Sequence, residues 1–258
     1  MRIGIVNDVS LAREALRRAI QTGTSHEVAW VANDGAAAIA MCRCDPTDVI
    51  LMDLIMPGMN GVETTRRIMS HSPCAILIVT ASVSGNMAMV FDAMGAGALD
   101  AVDTPSFGAL GRLGGADALL EKIALVGRLL GKDECPPPHL VAHDEPCVDD
   151  AALPRLVVFG ASTGGPNALA EIIEGLPRDW PACVVVIQHV DRAFAPGLAE
   201  WLARRTDRPV ELAAAGDEHQ TGGKVIDRLG QRDGAQTEEI HPGCVAEQQA
   251  IIMGEAFR

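Results

Sequence analysis

Short apolar runs alternate with stretches of helical periodicity five times over the first 130 residues. The runs at 3–6, 28–32, 49–52, 75–79 and 99–102 have the length and continuity of strands buried on both faces. Between and after them the apolar spacing predicts helices. Leu11, Ala15, Leu16, Ala19 and Ile20 form one face of the first, and the others cover 35–42, 62–69, 87–94 and 118–130. Strict alternation of strand and helix predicts a doubly wound α/β domain with a parallel sheet, (βα)5. Such sheets place their chemistry at the carboxyl ends of the strands.

The pattern stops at 131 and resumes at 155. The intervening block holds a proline triplet, Pro136-Pro137-Pro138, and six acids against one lysine, which predicts an extended acidic linker. From 156 a strand, a small-residue turn and a helix from about Asn167 follow, and then a second apolar strand ending at His189. The organisation expected is a first domain over 1–130, a linker over 131–154, a second parallel α/β domain over 155–226 and a polar, acidic tail over 227–258.

The net charge of −13 argues against nucleic acid as a partner, because a phosphate backbone recruits Lys and Arg. Five Phe, three Trp and no Tyr are too few for a base-stacking surface. No run is long and apolar enough to span a bilayer, so an integral membrane protein is not expected. An odd number of cysteines, seven, without secretory features predicts reduced thiols and a cytoplasmic location. Cys42 and Cys44 have the spacing of half a metal site, but no matching Cys/His pair follows.

Three strand ends in the first domain carry reactive side chains: Asp8, Asp53 and Thr80. Two carboxylates converging on one sheet edge suit a divalent cation, most naturally Mg²⁺ held by Asp8 and Asp53. A carboxylate there can act as a nucleophile toward a phosphoryl group, and a hydroxyl at Thr80 can bond the phosphoryl oxygen and report it. Capping of the following segment is the alternative role for Asp53 taken alone. In the second domain, Gly160-Ala161-Ser162-Thr163-Gly164-Gly165-Pro166 puts a serine on an exposed turn between strand and helix. Helix capping and phosphate binding are the competing readings of that turn. The strand ending Gln188-His189 brings a base to the neighbouring position, which favours Ser162 as nucleophile and His189 as general base.

Residues 1–130 resemble a response-regulator receiver domain, on the strength of Asp8, Asp53, Pro57, Gly61 and Thr80 within the five-unit pattern. Asn7, Thr104 and Ala101 stand where that family usually carries an acid, a lysine and a switch aromatic. The resemblance also implies a cis peptide before Pro105. A receiver, a linker, the GASTGGP turn and a Gln-His strand end together resemble the chemotaxis-type protein-glutamate methylesterase family, CheB, closest to the variant of Wsp-type surface-sensing systems. The resemblance implies hydrolysis of glutamate methyl esters, and also glutamine deamidation, on cytoplasmic helices of methyl-accepting chemoreceptors. It further implies phosphorylation of Asp53 by a histidine kinase, release of the esterase by that phosphorylation, and no cofactor for the esterase.

The family's third triad member is expected in a later Gly-Met-Gly-Arg-Asp-Gly-Ala segment, and 227–258 lacks the strand and helix units that would lead to it. The sequence therefore reads as a catalytic domain truncated or frame-disrupted near 226, with an open sheet edge. The fragment Gly230-Gln231-Arg232-Asp233-Gly234-Ala235 echoes the missing motif and makes Asp233 a candidate orienting residue, although only 44 positions separate it from His189. The alternative function is a catalytically dead phosphoacceptor or binding module that competes for the kinase.

Overall fold

The computed structural model describes residues 1–108, 113–132, 155–178, 180, 182–189, 194–212, 219–221, 224–226 and 248–253. The chain divides into two compact units, Met1–Pro137 and Pro138–Arg258.

The first unit runs β1 (Arg2–Val6), α1 (Ser10–Gly23), β2 (Glu27–Ala32), α2 (Gly35–Cys44), β3 (Val49–Met52), α3 (Gly61–His71), β4 (Ala75–Thr80), α4 (Met87–Gly95), β5 (Asp100–Asp103), β6 (Ser106–Phe107), β7 (Leu113–Gly114) and α5 (Ala116–Leu129). Its main sheet has the order β2-β1-β3-β4-β5 and is parallel throughout. The central strands β3 and β4 are buried along their whole length, which explains their unbroken apolar sequences. One helical layer closes over Ile3, Ile5, Leu51 and Leu77 with Leu16, Ile20, Leu119, Ile123 and Val126.

Most of the expected elements are present, with ends moved by a residue or two. Leu11 departs from its predicted buried face and is 62 % exposed. It lies in the first turn of α1, at the carboxyl edge of the sheet, whereas Ala15, Leu16, Ala19 and Ile20 are covered. The short antiparallel pair β6–β7 was not foreseen, because its two-residue strands carry no readable period. Phe107 in that pair stacks under the Arg18 guanidinium, 5.4 Å from the ring centroid. The peptide before Pro105 is trans, contrary to expectation.

The second unit contains β8 (Arg155–Ala161), α6 (Gly165–Gly175), β9 (Ala182–His189), α7 (Ala195–Thr206), β10 (Glu211–Leu212), β11 (His219–Thr221), β12 (Lys224–Ile226) and β13 (Gln248–Met253). Strands β8 and β9 are parallel, as expected. The sheet as a whole is mixed, not parallel, with the order β10-β13-β9-β8 and β13 antiparallel to both neighbours. Strand β13 falls in the segment expected to be a polar tail. Its apolar run Ala250–Met253 is long enough for half a strand and has no flanking pattern to advertise it. It lies between β9 and β10, so the outer strands of this sheet are β10 and β8, and Val158 on β8 is 50 % exposed. Asp233 and the proline-rich segment lie outside the described residues.

The start of α3 fixes the carboxyl edge of the first sheet. A Cβ on Gly61 would lie 2.1 Å from the backbone oxygen of Asp53. Gly61→Ala should therefore destabilise the first unit by about 1–3 kcal/mol or more. Chemical denaturation checks this, and an unchanged midpoint would show that α3 can draw back at no cost.

Candidate functional site

Asp53 follows β3 directly and is only 8 % exposed. Its Oδ1 accepts the Leu54 N–H at 2.7 Å, and its Oδ2 accepts the Asn7 side-chain amide at 2.9 Å. Asn7 is itself buried at the end of β1, and its Oδ1 accepts the Val9 N–H at 2.8 Å. The strand order makes this possible, since β1 and β3 are neighbours in parallel register and Val6 pairs with Met52. Burial pushes the Asp53 carboxyl up to about 6. The Ile55 and Leu54 amides oppose that shift, and the nearby charge of Asp8 adds to it.

Asp8 is exposed, on the loop that Arg13 holds from α1. The Arg13 guanidinium donates to the backbone oxygens of Asn7 and Asp8 at 2.7 and 2.9 Å. Thr80, 1 % exposed, ends β4. Its carbonyl accepts the Thr104 N–H at 2.8 Å, and its hydroxyl accepts the Asn86 amide at 3.2 Å. Asp103 ends β5 and accepts the Val83 N–H at 2.7 Å, tying the loop after β4 to the neighbouring strand. Asp8, Asp53 and Thr80 thus stand on the loops and ends of three consecutive sheet strands, as the sequence pattern implied. Arg13 and Asn86 were missed; only their helical and turn positions near Asp8 and Thr80 could have pointed to them.

The donor set suits a hard cation. Asp8 and Asp53 supply carboxylate oxygens, and their mutual repulsion is of the kind a divalent ion relieves. Among the described residues no group of three or more His, Cys, Asp or Glu converges as a metal site, so this pair would leave most of an ion's positions to water and backbone. Cys42 is buried and Cys44 exposed on the same helix, and burial pushes the Cys42 thiol up to about 11.

In the second unit the register of β8 against β9 pairs Ala161 with Gln188. Ser162 and His189 each come one position further along, at the same end of adjacent strands. Ser162 is exposed. Gly164 adopts φ 78°, a left-handed turn that favours glycine, and α6 begins at Gly165. The cap position of α6 is therefore Gly164, with no side-chain cap bond, so Ser162 is not the N-cap. The Gly165 N–H donates to the Ser162 carbonyl at 2.8 Å. That donor is spent inside the turn, and Pro166 has no N–H to offer an oxyanion.

Gln188 is the residue whose role the sequence left unread. Buried at 3 % exposure, it donates its side-chain amide to the Ser162 carbonyl at 2.9 Å. A Cβ on Gly165 would meet its Oε1 at 2.2 Å and the Ala161 Cβ at 2.8 Å, so a side chain there would push the Gln188 amide off the serine turn. Adjacent to His189, Gln188 locks the serine turn onto the histidine strand.

Asp53 should titrate near 6 in carboxyl NMR, against about 3.9 for an unperturbed Asp. Asp8→Asn should lower that midpoint, because it removes a like charge. In the window from about 4 to about 6 the folded state holds the proton more tightly than the unfolded chain. The Asp53 contribution to stability is therefore fully present below that window and lost as pH rises through it. A midpoint at the ordinary value would refute the burial argument.

Comparison with known proteins extends this geometry. Residues 3–107 match the response regulator receiver domain, and residues 157–232 match CheB methylesterase. Protein-glutamate methylesterase/protein-glutamine glutaminase 4 of Burkholderia thailandensis is 51 % identical over 222 residues, covering 86 % of this chain and 64 % of that protein. Its counterpart 2 from Cupriavidus metallidurans is 51 % identical over 227 residues, covering 88 % and 66 %. The chain thus spans a little under two thirds of the length of these relatives. The crystal structure of the response regulator domain of Thermotoga maritima CheB aligns with a TM-score of 0.43 and 24 % identity, covering 52 % of this chain and 98 % of that one. The chain thus joins receiver-domain sequence to CheB methylesterase sequence, and is about half identical to protein-glutamate methylesterases over most of its own length.

Proposed function

We propose that the protein hydrolyses glutamate methyl esters, and deamidates glutamines, on the cytoplasmic helices of chemoreceptors, under control of phosphorylation at Asp53. The observation that carries the reading is the parallel register that brings Ser162 and His189 to the same end of neighbouring strands. It occurs in a chain half identical to enzymes named for both activities.

In the proposed reaction the Ser162 Oγ attacks the ester carbonyl and His189 takes its proton. The proton passes to the departing methoxide, which leaves as methanol. Water, deprotonated by His189, then cleaves the acyl-serine and regenerates Ser162, leaving a free glutamate. Exposure of Ser162 suits a substrate presented on another protein's helix. Gln188 holds the turn so that the serine and the strand of His189 keep their spacing.

Asp53 is the proposed phosphoacceptor, with a histidine kinase as donor. Its carboxylate is oriented by Leu54 and Asn7. Asp8 and Asp53 would hold Mg²⁺, which when bound neutralises charge between the carboxylate and an incoming phosphoryl group. Thr80 would receive a phosphoryl oxygen as hydrogen-bond donor. The place of action is the cytoplasm, where the receptor helices are. Among the described residues no helix is long and apolar enough to cross a membrane.

Two measurements test the reading separately. Methanol release from methylated receptor should fall by at least about three orders of magnitude in Ser162→Ala. Equal rates for the two proteins would exclude the serine mechanism. Incubation with a small acyl phosphate should label the wild type and leave Asp53→Asn unlabelled, and label on the variant would place the phosphoacceptor elsewhere.

A further inference from the structure

We propose that Asn86 is a positioning residue for the phosphoryl chemistry at Asp53. Its side-chain amide occupies one face of the Thr80 hydroxyl and so leaves the hydroxyl proton to the phosphoryl group. The inference rests on the reading of Asp53 as phosphoacceptor and adds to it a residue that neither sequence pattern nor family resemblance supplies.

The orientation of the Asn86 amide follows from its partners. One atom of it lies 2.9 Å from the Ser82 carbonyl oxygen and 3.2 Å from the Thr80 Oγ1. A carbonyl oxygen can only accept, so that atom is the NH₂ nitrogen. Its two N–H groups serve one partner each. A threonine hydroxyl has two acceptor sites and one proton. With Asn86 donating to it, the proton of Thr80 is left to point at another acceptor.

The position of Thr80 makes that acceptor the group carried by Asp53. Strands β3 and β4 are adjacent, and Met52, the residue before Asp53, pairs with Ile78. Thr80 is 1 % exposed, and its carbonyl is pinned by the Thr104 N–H, so its hydroxyl is the part able to respond. An N–H donated to a hydroxyl oxygen polarises it and strengthens the bond the hydroxyl donates in turn. That gain matters here because Thr104, a neutral side chain, occupies the place where the receiver pattern has lysine.

The same residue links the hydroxyl to the chain beyond it. Asn86 closes the 3₁₀ turn Ser84–Asn86 that leads into α4. The turn is held by the Gly85 N–H on the Ser82 Oγ at 3.0 Å, by the two serine hydroxyls 3.1 Å apart, and by the Val83 N–H on Asp103. A change in the bonding of the Thr80 hydroxyl therefore reaches the first residue of α4 through a single side chain. No aromatic at position 101 is needed for that route.

The test uses the full chain with acetyl phosphate and Mg²⁺. In the reaction the bond from phosphorus to the acetate oxygen breaks and one to an Asp53 oxygen forms; Thr80 donates a hydrogen bond and loses no proton. One hydrogen bond is worth about a factor of five in rate. Asn86→Ala should slow labelling of Asp53 by roughly that factor, measured at a temperature where circular dichroism shows both proteins fully folded. Asn86→Asp keeps the shape but offers oxygen in place of N–H, so it should draw the Thr80 proton to itself and slow labelling at least as much. In a Thr80→Ala background, Asn86→Ala should change nothing, since the residue acts only through that hydroxyl. Wild-type rates in both single variants would overturn the proposal, and so would equal slowing by Asn86→Ala with and without Thr80. Wild type that takes no label would overturn the Asp53 reading itself, and this inference with it.

Discussion

A carboxylate at the end of a strand buried on both faces is the constraint around which the first unit is built. Strand β3 is covered by helices throughout, and the chain cannot leave it without carrying Asp53 into the same apolar surroundings. Burying an ionised group is costly unless its oxygens are bonded. Leu54 and Asn7 offset part of that cost, one from the following turn and one from the neighbouring strand. The return of the chain into α3 is then so close to the Asp53 backbone that only glycine fits at 61. Asn60 caps the helix at the same point, accepting the Glu63 N–H at 2.9 Å. The turn, the cap and the glycine are consequences of where the carboxylate sits.

The constraint also explains why a neutral asparagine at position 7 is tolerable where a second acid is usual. Two adjacent buried carboxylates would repel each other, and the exposed Asp8 already raises the proton affinity of Asp53. An amide donates to Asp53, with its nitrogen on that carboxylate and its oxygen on the Val9 N–H. The site keeps one exposed and one buried carboxylate, enough for an ion that retains much of its water.

Strand and helix content was legible because most core positions keep their period. Asp53 and Thr80 were legible because a parallel sheet displays its strand ends. What escaped was set by contacts between residues far apart in sequence. Gln188 looks like the polar end of an apolar run until the register sets it beneath the Ser162 carbonyl. Asn86 reads as a loop residue until the turn folds back on Thr80. Leu11 satisfied the helical period and yet lies in the exposed first turn. The strand at Gln248–Met253 could not be read because its partner, β9, lies about sixty residues away in the chain.

The two units use one device for opposite ends. In each, a side-chain amide from the end of one parallel strand bonds across to the reactive position of its neighbour: Asn7 to the Asp53 carboxylate, and Gln188 to the Ser162 carbonyl. In the first unit the amide bonds the Asp53 carboxylate itself, which stays buried. In the second the amide bonds only the backbone, and Ser162 is left exposed. The difference follows from how each strand ends. Strand β3 turns back tightly through Gly61, whereas β8 passes through the left-handed Gly164 and leaves Ser162 exposed at the start of the turn. Whether the strand-end side chain is buried or exposed is thus written into the backbone path after the strand.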